Sequence, residues 1–171
     1  MKLKQSMKKR LFLSAIVCVS FFLSFSQNAD RIQRAYAFFT SSTPGMIRVD
    51  ENGNPVKPVQ IIERFMYIEC NGTKMPVISN VFYDKTVYTA LTAPVNEAVI
   101  HVGKKEGSGQ EIMLTPKKGK HLWKVQLQVL NESGGLNHAD AKHISIKARS
   151  GGKIYIFYLY NETQLMAPER Y

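Results

Sequence analysis

His138, Asp140 and His143 place three potential metal ligands within six residues. Zinc needs three or four such donors converging at about 2.0–2.2 Å, so His101 or His121 would have to complete the set from another strand. The competing reading is a polar loop that opens a strand. Asp50, Asn52 and Asn54 repeat the first ligand positions of a calcium loop. Pro55 then stands where that loop requires glycine, and Ile61 where it requires a bidentate Glu. This segment reads as a turn.

Nucleophile and phosphate-binding motifs are absent. The chain has no G-x-S-x-G sequence, and the glycine-rich stretch Gly103–Gly109 lacks the lysine that a phosphate loop places after its final glycine. Cys70 with a distant histidine, or two dispersed carboxylates, would need the fold to assemble them. The expectation is a protein that is not an enzyme and carries no cofactor.

Binding is the better-supported chemistry. Lys117, Lys118 and Lys120 form the densest basic cluster, with Lys104 and Lys105 in the preceding loop. Lys147, Arg149 and Lys153 would enlarge it if they shared its side of the fold. Acidic glycans, lipid headgroups or phosphate suit such a patch. A charged hairpin tip that keeps strand edges from pairing is the plainer alternative. Tyr155, Tyr158 and Tyr160 offer a stacking platform for a sugar or another small ligand.

The elements that must hold these residues follow from the patterning. Residues 1–10 carry five basic residues and no acid, and residues 11–25 are an unbroken run of apolar residues and serines. That order is the pattern of a secretory signal peptide, and the run falls short of the roughly 20 residues that span a bilayer. Ser24 and Ser26 put small residues at the positions that a signal peptidase reads before Gln27. Ala35 and Ala37 do the same further on, but would leave Asp30, Arg31 and Arg34 between the apolar run and the cut. The reading is therefore a signal peptide over 1–26, a leader and linker over 27–60, and a folded domain over 61–171. Removing the five early basic residues from 23 Lys and Arg leaves 18 against 13 Asp and Glu, a net of +5. This is too mild a charge to point to nucleic acid. Only Cys70 remains after cleavage, so no internal disulfide forms and a buried thiol is expected.

Ile32, Ala35, Tyr36 and Phe39 recur at helical spacing and suggest a short N-terminal helix. Residues 40–60 are rich in Pro, Gly and Asn and read as a linker, with Met46–Val49 as a possible edge strand. Beyond residue 60, β-prone runs occupy 61–70, 73–83, 86–91, 98–102, 111–115, 121–130, 143–149 and 154–160. Asn71-Gly72 and Asp84-Lys85 signal hairpins between them, and Pro94 a break. Trp123, Val125, Leu127 and Val129 alternate with Lys124, Gln126 and Gln128. Ile144, Ile146 and Ala148 alternate with Ser145, Lys147 and Arg149. Residues 161–171 read as a polar tail. About eight strands at even spacing predict an all-β fold, an antiparallel β-sandwich, immunoglobulin-like or similar.

From Ile154 to Tyr160 both alternating sets are apolar or aromatic. A half-buried strand should alternate with polar residues, so both faces should be covered. Tyr155, Phe157 and Leu159 would need the helix, a barrel-like closure or a partner against them. The expectation is an exported protein, periplasmic or extracellular, that binds an envelope component or a glycan. Nucleic acid is not expected, and membrane contact only through an uncleaved signal segment.

Overall fold

The computed structural model describes residues 31–43, 49–54, 60–130 and 142–167. The signal-peptide segment and the candidate junction after Ser26 lie outside them, as do His138 and Asp140, whereas the junction after Ala37 falls within β1. The described residues form an all-β fold of ten strands and no helix. In chain order these are β1 (Ile32–Ser42), β2 (Ile61–Cys70), β3 (Val77–Tyr83), β4 (Thr86–Val95), β5 (Ile100–Lys104), β6 (Glu111–Leu114), β7 (His121–Val129), β8 (Ile144–Ser150), β9 (Lys153–Leu159) and β10 (Glu162–Leu165).

Eight strands make one sheet in the order β10-β1-β2-β7-β4-β3-β8-β9, and β5-β6 make a second, small sheet. The large sheet is mixed, because β10 lies parallel to β1 while its other pairs are antiparallel. It curls until β9 returns beside β1, where the Ile32 N–H donates to Tyr155 Oη at 3.2 Å. The last segment of the chain therefore changes neighbours, pairing first with β8 and then with β1.

Alternation sets the two faces. Met66, Ile68, Cys70, Val125, Ile144, Ile146, Ala148, Val81 and Tyr88 point inside the curl and form the main core. Trp123, Leu127 and Val129 pack against it, as their period-two spacing predicts. A second cluster lies outside the curl, where Phe38, Tyr67 and Leu122 are covered by Ile100, Val102, Ile112 and Leu114 of the β5–β6 sheet.

Several expectations are corrected. Residues 32–39 form strand, not helix. Their helical spacing coexists with an unbroken apolar run from Ala35 to Phe39, which suits a strand covered on both sides, and ten residues of β1 find partners on β2, so tertiary pairing overrides the weaker local signal. Asn71-Gly72 does not join a hairpin, because β7 and β4 intervene between β2 and β3. The Asp84-Lys85 turn does join one, with Asp84 at φ 51°. Pro94 does not end its strand: β4 continues to Val95 against β7. Its pairing with β3 reaches only to the Val81–Tyr88 pair, so the unpaired edge beyond tolerates a residue without an N–H. Residues 162–165 are not a polar tail but β10.

The 154–160 segment is also corrected. Registers Ile144↔Leu159, Ile146↔Phe157 and Ala148↔Tyr155 turn Tyr155, Phe157 and Leu159 into the core. Closure of the curl covers that set. The opposite set stays bare: Ile154, Ile156, Tyr158 and Tyr160 are 62%, 52%, 60% and 78% exposed.

Candidate functional site

The predicted site residues do not converge. Tyr155 faces inward, with the Arg31 guanidinium 5.4 Å from its ring, so it cannot share a platform with Tyr158 and Tyr160, which face outward. The two-residue side-chain period of a strand imposes this separation. Lys117 and Lys118 are exposed on the turn between β6 and β7, and Lys120 donates to Asn71 Oδ1 beyond the end of β2. Lys104 and Lys105 lie at the opposite end of β6, where the Lys105 N–H bonds Gln110 O at 2.8 Å. Lys147 and Arg149 stand on β8, which three strands separate from β2 and two from β7. One continuous basic patch is therefore not formed.

His143 approaches Asp84, with Nδ1 3.5 Å from Oδ1. Asp84 accepts the backbone N–H groups of Lys142 and His143 at 3.1 and 3.0 Å. Partial burial pushes its carboxyl upward, but these bonds together hold it below the usual carboxylate range. Asp84 thus fastens the entry to β8. His101 is bonded to Glu111 at 2.7 Å. Among the described residues no three His, Cys, Asp or Glu side chains form a metal-holding group. Asp50 Oδ1 accepts from the backbone of Asn52 and Asn54 at 2.9 and 2.8 Å, which is turn chemistry. Cys70 is fully buried, and a buried thiol cannot meet a substrate.

Sequence reasoning missed a groove of about 910 Å³ on the outer face. Its floor is made by outward side chains of β2 and β7, where Phe65 faces Gln126 in register and Thr40 of β1 faces Glu63. Lys124 and Gln128 extend the floor, with Lys124 Nζ 5.5 Å from the centre of the Phe65 ring. One wall is Val102 to Lys104 of β5, and Leu165, Met166 and Ala167 supply another. Two backbone bonds hold these walls together: Met166 N–H to Lys104 O at 2.8 Å and Glu106 N–H to Gln164 O at 3.0 Å. The small sheet is thereby held over the large one, and the overhang makes the concavity.

The groove offers two amides, a carboxylate, two ammonium groups and a hydroxyl against an aromatic ring. It donates and accepts hydrogen bonds without a strong net charge. Glu63 is the one acid among its described lining residues, so it lacks the carboxylate pair of a glycoside hydrolase.

Behind the groove, inside the curl, lies a buried polar group. Arg64 Nε reaches both Glu162 oxygens at 3.2 and 3.3 Å, and its Nη1 donates to Tyr88 Oη at 2.9 Å. The guanidinium carbon lies 4.6 Å from the Tyr83 ring centre and 5.7 Å from that of Phe39. Burial pushes the Glu162 carboxyl above its usual range, against the opposing pull of Arg64. The Tyr83 hydroxyl faces the same carboxylate without a hydrogen bond of standard geometry, and burial raises it strongly. Both charged side chains are almost fully enclosed, which fits a structural tie and not a ligand contact.

No protein-family model matches the chain, and no curated protein or solved structure is significantly similar to it.

Proposed function

We propose that this chain is an exported, non-enzymatic binding module whose groove takes a neutral, polyhydroxylated ligand, a glycan before other small molecules. The observation that carries this reading is the convergence of Gln126, Gln128, Lys124 and Glu63 around the half-buried Phe65 in one concavity. Amides and carboxylates that accept and donate in pairs suit vicinal hydroxyls, and an aromatic floor suits the C–H face of a sugar ring. An envelope or extracellular setting accords with the basic and apolar order of residues 1–26 and with the lone cysteine of the processed chain. On architecture, we infer a sandwich made from one sheet, its halves β10-β1-β2-β7 and β4-β3-β8-β9 facing each other across the main core.

The test is a glycan array probed with wild type and with the Gln126→Ala/Gln128→Ala variant. Binding to at least one glycan class, weakened tenfold or more in a variant that melts as wild type does, supports the reading. Wild type that binds no glycan, or a variant that binds equally well, overturns it.

A further inference from the structure

The curled sheet has two outer walls, and they are treated differently. The wall of β1, β2 and β7 lies beneath the β5–β6 sheet. Among the described residues the wall of β3, β8 and β9 has no such cover, and its outward residues fall into rows. Val77, Arg149 and Ile154 make one row, and Asn80, Lys147 and Ile156 the next. Phe82, Ser145 and Tyr158 make a third, and Tyr160 continues the line of β9. No acidic residue occurs in β3, β4, β8 or β9.

We propose that this wall docks onto the surface of an anionic phospholipid bilayer. Four features select that occupant. The apolar side chains Ile154, Ile156, Tyr158 and Tyr160 form a single line, about 20 Å long at some 3.3 Å per residue. A convex wall meets a plane along such a line, whereas a globular protein partner would need a broader matching surface. Lys147 and Arg149, in register with Ile156 and Ile154, flank the line with one sign of charge, complementary to anionic headgroups. Tyrosine, with an apolar ring and a polar tip, is the residue type that collects at the headgroup level. None of the strands β3, β4, β8 and β9 carries an acidic residue that would repel such a surface. The proposal is independent of the groove, which opens on the other wall.

The experiment is co-sedimentation of the protein with vesicles of phosphatidylglycerol and phosphatidylcholine, against vesicles of phosphatidylcholine alone. Each cation beside an anionic surface contributes about fivefold to partitioning. The expected result is binding to the anionic vesicles at least tenfold stronger than to neutral ones, reversed by 0.5 M salt. Lys147→Gln/Arg149→Gln should lower it about 25-fold on this scale, and Ile154→Ser/Ile156→Ser should lower it while leaving the melting transition in place. All variants share one N-terminus, so any contribution from upstream residues cancels between them. Equal binding to both vesicle types, no binding, or variants that bind as wild type does overturn the proposal. So does a wild type that ignores vesicles but forms dimers dispersed by Ile154→Ser/Ile156→Ser, which would make a second copy the occupant.

Discussion

Arg64 and Glu162, 98 residues apart in the chain, meet inside the curled sheet through one guanidinium nitrogen and both carboxylate oxygens. The contact joins β2 to β10 and holds the last strand against β1. It adds a side-chain tie to the parallel ladder by which β10 pairs with β1.

Truncating one partner leaves the other charge buried without compensation. Glu162→Ala should destabilise the fold by about 3–5 kcal/mol, most of it from the stranded Arg64. The Arg64→Met/Glu162→Leu pair should be less destabilised than Glu162→Ala, because no charge then remains to desolvate. Urea unfolding followed by tryptophan fluorescence measures both. A pair more damaged than the single variant would mean that the ion pair itself, and not charge burial, sets the energy.

The Glu162 carboxyl is raised in the folded state, so the fold binds its proton more tightly than the unfolded chain does. The sign follows from linkage: stability contributed by this group is fully present below the unfolded carboxylate pKa and is lost as pH rises through the folded one. Wild type should therefore gain stability relative to Glu162→Gln as pH falls from neutral toward 4.5. Parallel urea titrations across that range check it, and a difference independent of pH contradicts it.

Cys70 ends β2 inside the core and is wholly shielded from solvent. A thiol reagent should label it only through unfolding or a large opening, at rates that rise with denaturant in step with the unfolded population. Rapid labelling of the native protein would place β2 at an accessible edge and contradict the β1-β2-β7 order.

How much of this was legible depends on how local each signal is. The alternation of Trp123 to Val129 and of Ile144 to Ala148 names the inward face without any knowledge of the partner strands, and both sets are inward. In β9 the alternation carries no polar marker, so the sequence could not say which set turns inward. The β8 register decides it. The unbroken apolar run from Ala35 to Phe39 suits a helical face and a strand covered on both sides alike, and only pairing with β2 decides between them. Glu162 to Leu165 look like tail residues because their burial depends on an arginine 98 positions away. Glu63, Gln126 and Gln128 look like an ordinary wet face. The groove they line exists because β5 bonds to the chain beyond β10, a contact with no local signature.

The same long-range order bears on processing. A cut after Ala37 would remove Ile32 and Ala37, both core residues, and strip Tyr67 and Ile68 of their partners Tyr36 and Ala35. Each buried large apolar side chain lost forgoes roughly 1.5–3 kcal/mol, against total stabilities of about 5–15 kcal/mol. Exposed backbone donors on the β2 edge would add to that cost. A cut after Ser26 spares the whole of β1. If the chain is exported as proposed, the mature protein should begin at Gln27, which intact-mass measurement of protein recovered from outside the cytoplasm reads directly. A chain starting at Gln27 should unfold cooperatively, and one starting at Phe38 should not. A folded secreted form beginning at Phe38 would show that the first half of β1 is dispensable, and with it the Tyr155 contact that closes the sheet.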